Sequence, residues 1–117
     1  VNLPKRRKPE KLGVREEPQI RNASHLKWVR GHECAVGTPM FCRDYPVEAA
    51  HVRTGTDGGM SVKPSDCWAL PLCRYHHAVQ HAQGERTFEQ LYKIDMKKIA
   101  QGLWLKSPHR HKSENQS

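Results

Sequence analysis

The stretch Cys73 to His81, C-R-Y-H-H-A-V-Q-H, sets a cysteine and three histidines within nine residues. Thiolate and imidazole donors at this density are the chemistry of a metal-bound knuckle, and the chain has reason to need one. It has 117 residues, of which 36% are hydrophobic and 27% charged, so its apolar core must be thin. A bound ion supplies folding free energy that such a core lacks. In a helix starting near Arg74, the neighbours His76 and His77 point about 100° apart and do not converge on one small ion. His77 and His81, four residues apart, share one face. Two sites are therefore expected.

The first combines Cys34, Cys42, Cys73 and His76, a Cys₃His set that meets the closed tetrahedral demand of structural zinc. The Cys34 to Cys42 spacing is wider than the usual two to four residues. Cys67 competes for the fourth position in a Cys₄ set; otherwise it is a small buried apolar residue. The second site is the pair His77 and His81, which leaves coordination positions open for water and substrate, as a catalytic ion requires.

Formal net charge is +8 and is uneven. Residues 1–17 hold six Lys/Arg against three acids, and residues 106–117 hold three against one. A basic chain of this kind suits a polyanion, nucleic acid above all, although basic tails also serve simple solubility. No apolar run approaches a membrane span, and no apolar segment follows the basic start as a signal peptide would. The expectation is a soluble, intracellular protein, in which four cysteines serve metal rather than two disulfides.

Residues 1–20 read as a basic flexible arm, 21–107 as one folded domain and 108–117 as a flexible tail. Within the domain, Asn22 or Ser24 caps a short helix ended by Gly31, with Leu26 and Val29 or Trp28 inward. A knuckle from Cys34 to Cys42 follows. Val47 to Val52 and Trp68 to Leu72 read as strands, separated by a Gly-rich loop from Thr54 to Pro64. A helix runs from Arg74 to about Gln83, stopped by Gly84. Thr87 opens another, with Phe88, Leu91 and Tyr92 on one face, and Asp95 caps a last turn that breaks at Gly102.

His51 sits in V-E-A-A-H-V-R, within the first strand among small apolar residues, where a histidine is unexpected unless its ring faces a cleft. Imidazole is a competent proton acceptor near neutral pH, which makes His51 a candidate general base.

The series R-G-H-E-C…F-C…A-A-H-V-R…K-P-S-D-C-W-A-L-P-L-C-R-Y-H-H-A-V-Q-H resembles the HNH nucleases, the His-Me finger or ββα-metal superfamily. More narrowly it is similar to the small zinc-containing phage and prophage HNH proteins, which include the phage recombination enhancement nuclease. The similarity runs from about Arg30 to Gly84. It implies an α+β chain with the small ββα-metal fold, a structural zinc knuckle, short flanking helices and disordered basic tails. It also implies a metal-dependent endonuclease that hydrolyses phosphodiester bonds in DNA. In that reading His51 is the general base, His77 holds the catalytic divalent cation (Mg²⁺, Mn²⁺ or Zn²⁺), His81 binds that ion or the scissile phosphate, and Asp66 orients the base or helps hold the ion.

One position departs from the family. Many members carry aspartate or histidine immediately before the base, as a metal ligand, and this chain has Ala50. Asp66, Glu48 or Asp57 could supply the missing oxygen, or the ion rests on two histidines and waters; a non-catalytic zinc-knuckle nucleic-acid-binding protein is the alternative. Arg53, Lys63 and Arg74 are the candidate phosphate contacts. No recognition helix is evident, so binding is expected through phosphates, with selectivity for single-stranded or branched DNA or through a recombination protein partner.

Overall fold

A computed structural model describes residues 19–58 and 62–110. The ends of the expected arm and tail, and the tip of the Gly-rich loop at 59–61, lie outside these residues. The elements are α1 (Ala23–Arg30), α2 (Pro39–Cys42), β1 (Val47–His51), β2 (Ala69–Cys73), α3 (Arg74–Gln83), α4 (Glu85–Tyr92) and α5 (Met96–Lys106), with a 3₁₀ turn at Asp66–Trp68. The fold is a small α+β arrangement around a two-stranded antiparallel sheet. No described helix is long and apolar enough to cross a membrane.

The sheet pairs Val47 with Cys73 and His51 with Ala69. All five residues of β2 are buried, so the strand is an unbroken apolar run rather than an alternating one. Pro71 is tolerated because β2 has one sheet neighbour only, and its carbonyl accepts instead from the Ala35 amide at 2.8 Å. That bond ties the knuckle to the sheet. Helices α1, α3 and α5 pack against the strands. The core gathers Val52, Leu70, Leu72, Phe88, Met96 and Ala100 with Cys34, Cys42 and Cys73, so the thiols belong to the apolar interior itself.

Local chemistry accounts for most boundaries. The Asn22 side chain accepts from the His25 amide at 3.0 Å, which makes Asn22 rather than Ser24 the cap of α1. His25 and Val29 take the buried face, while Leu26 and Trp28 are half-buried. Trp28 is drawn sideways onto His32, with ring centroids 4.4 Å apart. Gly84, at φ 90°, ends α3 and at once begins α4, two residues before the expected start at Thr87. Phe88 is buried, but Leu91 is 57% exposed: the covered stripe of α4 runs through Phe88 and Tyr92, about 40° apart around the helix.

The expected break at Gly102 does not occur, and α5 continues to Lys106. A glycine weakens a helix but ends it only where the chain turns left-handed, and Gly102 is not among the positive-φ residues. A Cβ added there would meet nothing within 4 Å. Gly102→Ala is therefore expected to stabilise the fold by about 0.5–1 kcal/mol, read as a raised urea midpoint at constant slope.

His25 is fully buried; its Nδ1 lies 2.9 Å from Ser107 Oγ, and its Nε2 has no partner among the described residues. Burial lowers its pKa from 6.5 to about 4, against the nearby charge of Asp66. An unfolded histidine takes up a proton near 6.5, whereas this one stays neutral to about pH 4. Unfolding thus binds a proton in that window, and stability falls as pH drops through it, by an amount on the order of 3 kcal/mol. Urea melts between pH 7 and pH 4 should show a shallower decline for His25→Phe than for the wild type.

Candidate metal centre and adjoining cleft

Four segments converge on one point. Cys34 follows α1 in a turn closed by the Gly37 amide on the Cys34 carbonyl (3.1 Å), which needs Gly37 at φ 79°. Cys42 ends α2, Cys73 ends β2, and His76 lies in the first turn of α3. The ligand atoms of these four buried residues all lie within 4.8 Å of one another. His76 Nδ1 is 3.6 Å from Cys34 Sγ, 3.4 Å from Cys42 Sγ and 3.2 Å from Cys73 Sγ. A tetrahedral ion with metal–sulfur bonds of about 2.3 Å and metal–nitrogen bonds of about 2.0–2.1 Å sets those separations near about 3.5 Å. The set could hold a metal ion such as zinc.

The electrostatics agree. Burial pushes the Cys34 thiol up to about 11 and holds His76 below the ordinary histidine value, keeping the imidazole in its neutral ligating form. A cation held among them would offset the cost of burying the sulfurs as thiolates. Thr38 Oγ1 lies 3.0 Å from Cys42 Sγ, an outer partner that steadies one sulfur. Cys67 takes no part: it is half-buried beside Asp57 and Asp66, and burial, then those carboxylates, push its thiol up to about 11. The Cys₄ alternative is thereby set aside in favour of His76, and all four cysteines are free of disulfides.

The second histidine set lies further round α3. His77 Nε2 and His81 Nε2 are 3.2 Å apart, within hydrogen-bond distance of each other. His77 Nδ1 is 2.8 Å from Glu48 Oε1, and Arg74 Nε donates to Glu48 Oε2 at 3.1 Å. These contacts from His77 and Arg74 hold the Glu48 carboxyl below its usual range. Glu48 thus grips the outer nitrogen of His77 rather than standing beside the Nε2 pair. Its position was readable in principle: Glu48 and Ala50 share a strand face by the period of two.

On the strand end, His51 Nε2 is 2.9 Å from Asp66 Oδ1. Asp66 is 2% exposed and also accepts from the Asn22 amide at 2.7 Å, with Arg21 3.7 Å away. Burial raises its pKa, but His51, Asn22 and Arg21 together bring the net shift below the ordinary value. Asp57 turns instead to Ser65. His51 and His81 line one cleft of about 290 Å³, together with Arg53, Thr54 and Glu85. Glu85 accepts from the amides of Arg53 and Thr54 at 2.7 and 2.8 Å, fixing the chain just past His51. The Arg53 guanidinium donates to the Val62 carbonyl at 3.0 Å. Lys63 is exposed and is not part of this lining; its carbonyl accepts from Arg21.

If the Cys₃His cluster organises the core, one tightly held ion per chain should be found by elemental analysis. Chelation or Cys73→Ser should remove it together with the cooperative melt, because the loss is comparable with the entire stability of a small domain, about 5–15 kcal/mol.

The chain was compared with known proteins. Residues 14–106 match the model of the family described as protein of unknown function DUF968. An uncharacterized protein of Escherichia coli K12, YdfU, is 34% identical over 82 residues, which cover 69% of this chain and 19% of that protein. The chain therefore spans about a fifth of the length of this curated relative. No solved structure matches. With most of its length inside that family model, the chain belongs to the DUF968 family.

Proposed function

We propose that the chain is a metal-dependent endonuclease that hydrolyses phosphodiester bonds in DNA, with the ββα-metal arrangement of the HNH nucleases. One observation carries the reading: His51, held by Asp66, lines the same cleft as His81, whose Nε2 meets that of His77. The order β1, β2, α3 supports it, since the base sits on the first strand and the histidine pair on the helix.

Asp66 is an ionised carboxylate and only accepts, so His51 donates its Nε2 hydrogen to it and presents a lone pair at Nδ1. Nδ1 takes a proton from water while the water oxygen attacks phosphorus in line and the 3′ oxygen leaves. Glu48 receives the Nδ1 hydrogen of His77, which turns the Nε2 lone pair toward His81. These two nitrogens would hold a divalent cation, Mg²⁺, Mn²⁺ or Zn²⁺, whose charge stabilises the phosphate as electrons move onto its oxygens. Arg53 lines the cleft and Arg74 borders the histidine pair; both suit phosphate contacts, with Lys63 further out. Zinc is the ion assigned to Cys34, Cys42, Cys73 and His76. The resemblance to phage and prophage HNH proteins extends the proposal to recombination or DNA processing.

A second reading, nucleic-acid binding without cleavage, draws on Ala50, a fully buried alanine where many HNH proteins place a metal ligand. Plasmid cleavage with Mg²⁺ or Mn²⁺ separates the two. His51→Ala should cut about 10²–10⁴-fold more slowly than the wild type at an unchanged melting temperature. Equal cutting by both proteins would remove the mechanism, and binding with no cutting under any metal would favour the second reading.

A further inference from the structure

Phe41, Tyr45 and Tyr75 form a ring cluster on the outside of the knuckle. Their centroids are 5.0 Å (Phe41 to Tyr75), 5.4 Å (Phe41 to Tyr45) and 5.9 Å (Tyr45 to Tyr75) apart. They remain 44%, 36% and 43% exposed, and Met40 beside them is 74% exposed. Apolar residues exposed singly are ordinary; three aromatic rings in mutual contact make a patch. The patch is also rigid, because Phe41 precedes Cys42 and Tyr75 precedes His76, two members of the metal cluster.

Positive charge surrounds the rings. Tyr45 borders a cleft of about 340 Å³ whose lining includes Arg30 and Arg43, with Glu33 as its acidic member. Arg43 and Arg74 adjoin the rings in sequence, against Asp44. Around α3, Arg74 stands about 100° from Tyr75 and about 60° from His77, between the rings and the histidine pair. A strand crossing the start of α3 would meet rings, guanidinium and His77 in turn.

We infer that this surface is a stacking platform for the unpaired bases of single-stranded DNA, feeding the strand past His77 toward the cleft lined by His51 and His81; the inference rests on the endonuclease reading. Aromatic faces beside cations are the pattern that holds single strands, since each exposed base has a face to stack and each phosphate a charge to pair. The bases inside a duplex have no free faces, so a duplex would leave the rings uncovered.

The test uses the full, metal-loaded chain with His51→Ala, so that the probe stays intact. Fluorescence anisotropy compares a labelled mixed-sequence single strand of DNA, its blunt duplex and the matching RNA strand. The single DNA strand should bind most tightly. Phe41→Leu and Tyr75→Leu should each weaken it about 10-fold with little effect on the duplex, while Tyr75→Phe restores binding. Because Leu here could disturb the knuckle, a 5-iodouracil strand is also photo-crosslinked to the protein with its rings intact and mapped by mass spectrometry. Crosslinks at Phe41, Tyr45 or Tyr75 support the platform. Crosslinks only elsewhere, no binding, or binding of duplex or RNA as tight as the DNA strand would overturn it. Cutting by the wild type with crosslinks elsewhere refutes the platform alone; ring crosslinks without wild-type cutting refute the hydrolysis alone.

Discussion

The convergence of three sulfurs and one imidazole nitrogen is the constraint on which the rest of the molecule depends. Cys34, Cys42, Cys73 and His76 come from the turn after α1, from α2, from the last residue of β2 and from the first turn of α3. A two-stranded sheet is marginal by itself, and the helices around it are short. An ion held there would join four segments and replace much of the burial that a larger domain would provide. The same junction fixes where α3 leaves the sheet, and with it the direction in which His77 and His81 project.

That direction links scaffold and chemistry. His76 and His77 are neighbours, so one faces the thiols while the next is turned toward β1, where Glu48 meets it. A structural cluster on one side of a helix and an open histidine pair on another need only this change of azimuth. Glu48 then spans the gap between strand and helix by engaging both His77 and Arg74. Its carboxylate is committed to orienting a histidine and is not left over as a free ligand.

Much of this was legible in the sequence because it depends on local spacing. The limits of α3, the caps Asn22 and Asp95 and the separation of His76 from His77 follow from helical geometry and capping chemistry. Spacing alone leaves His76 and Cys67 as rivals for the fourth place beside Cys34, Cys42 and Cys73, since it does not reveal which side chain shares a wall. Other features depend on distant segments and left no local trace. Arg21 and Asn22 reach Asp66 across more than forty residues, and Glu85 reaches back to the amides after His51. The misjudged end of α5 has a different origin: Gly102 carries a weak helix propensity, which neighbouring turns and packing override. The exposure of Leu91 is likewise a matter of what lies beside α4, and not of its own periodicity.

Asp66 carries a consequence of its own. One carboxylate receives the first amide of the α1 cap and the imidazole of His51 at once, while the Asn22 side chain secures the opening turn of α1. Fraying at that opening turn would release one oxygen of the carboxylate and loosen its hold on the His51 ring. The aim of a ring on the sheet in this way depends on how the first helix begins.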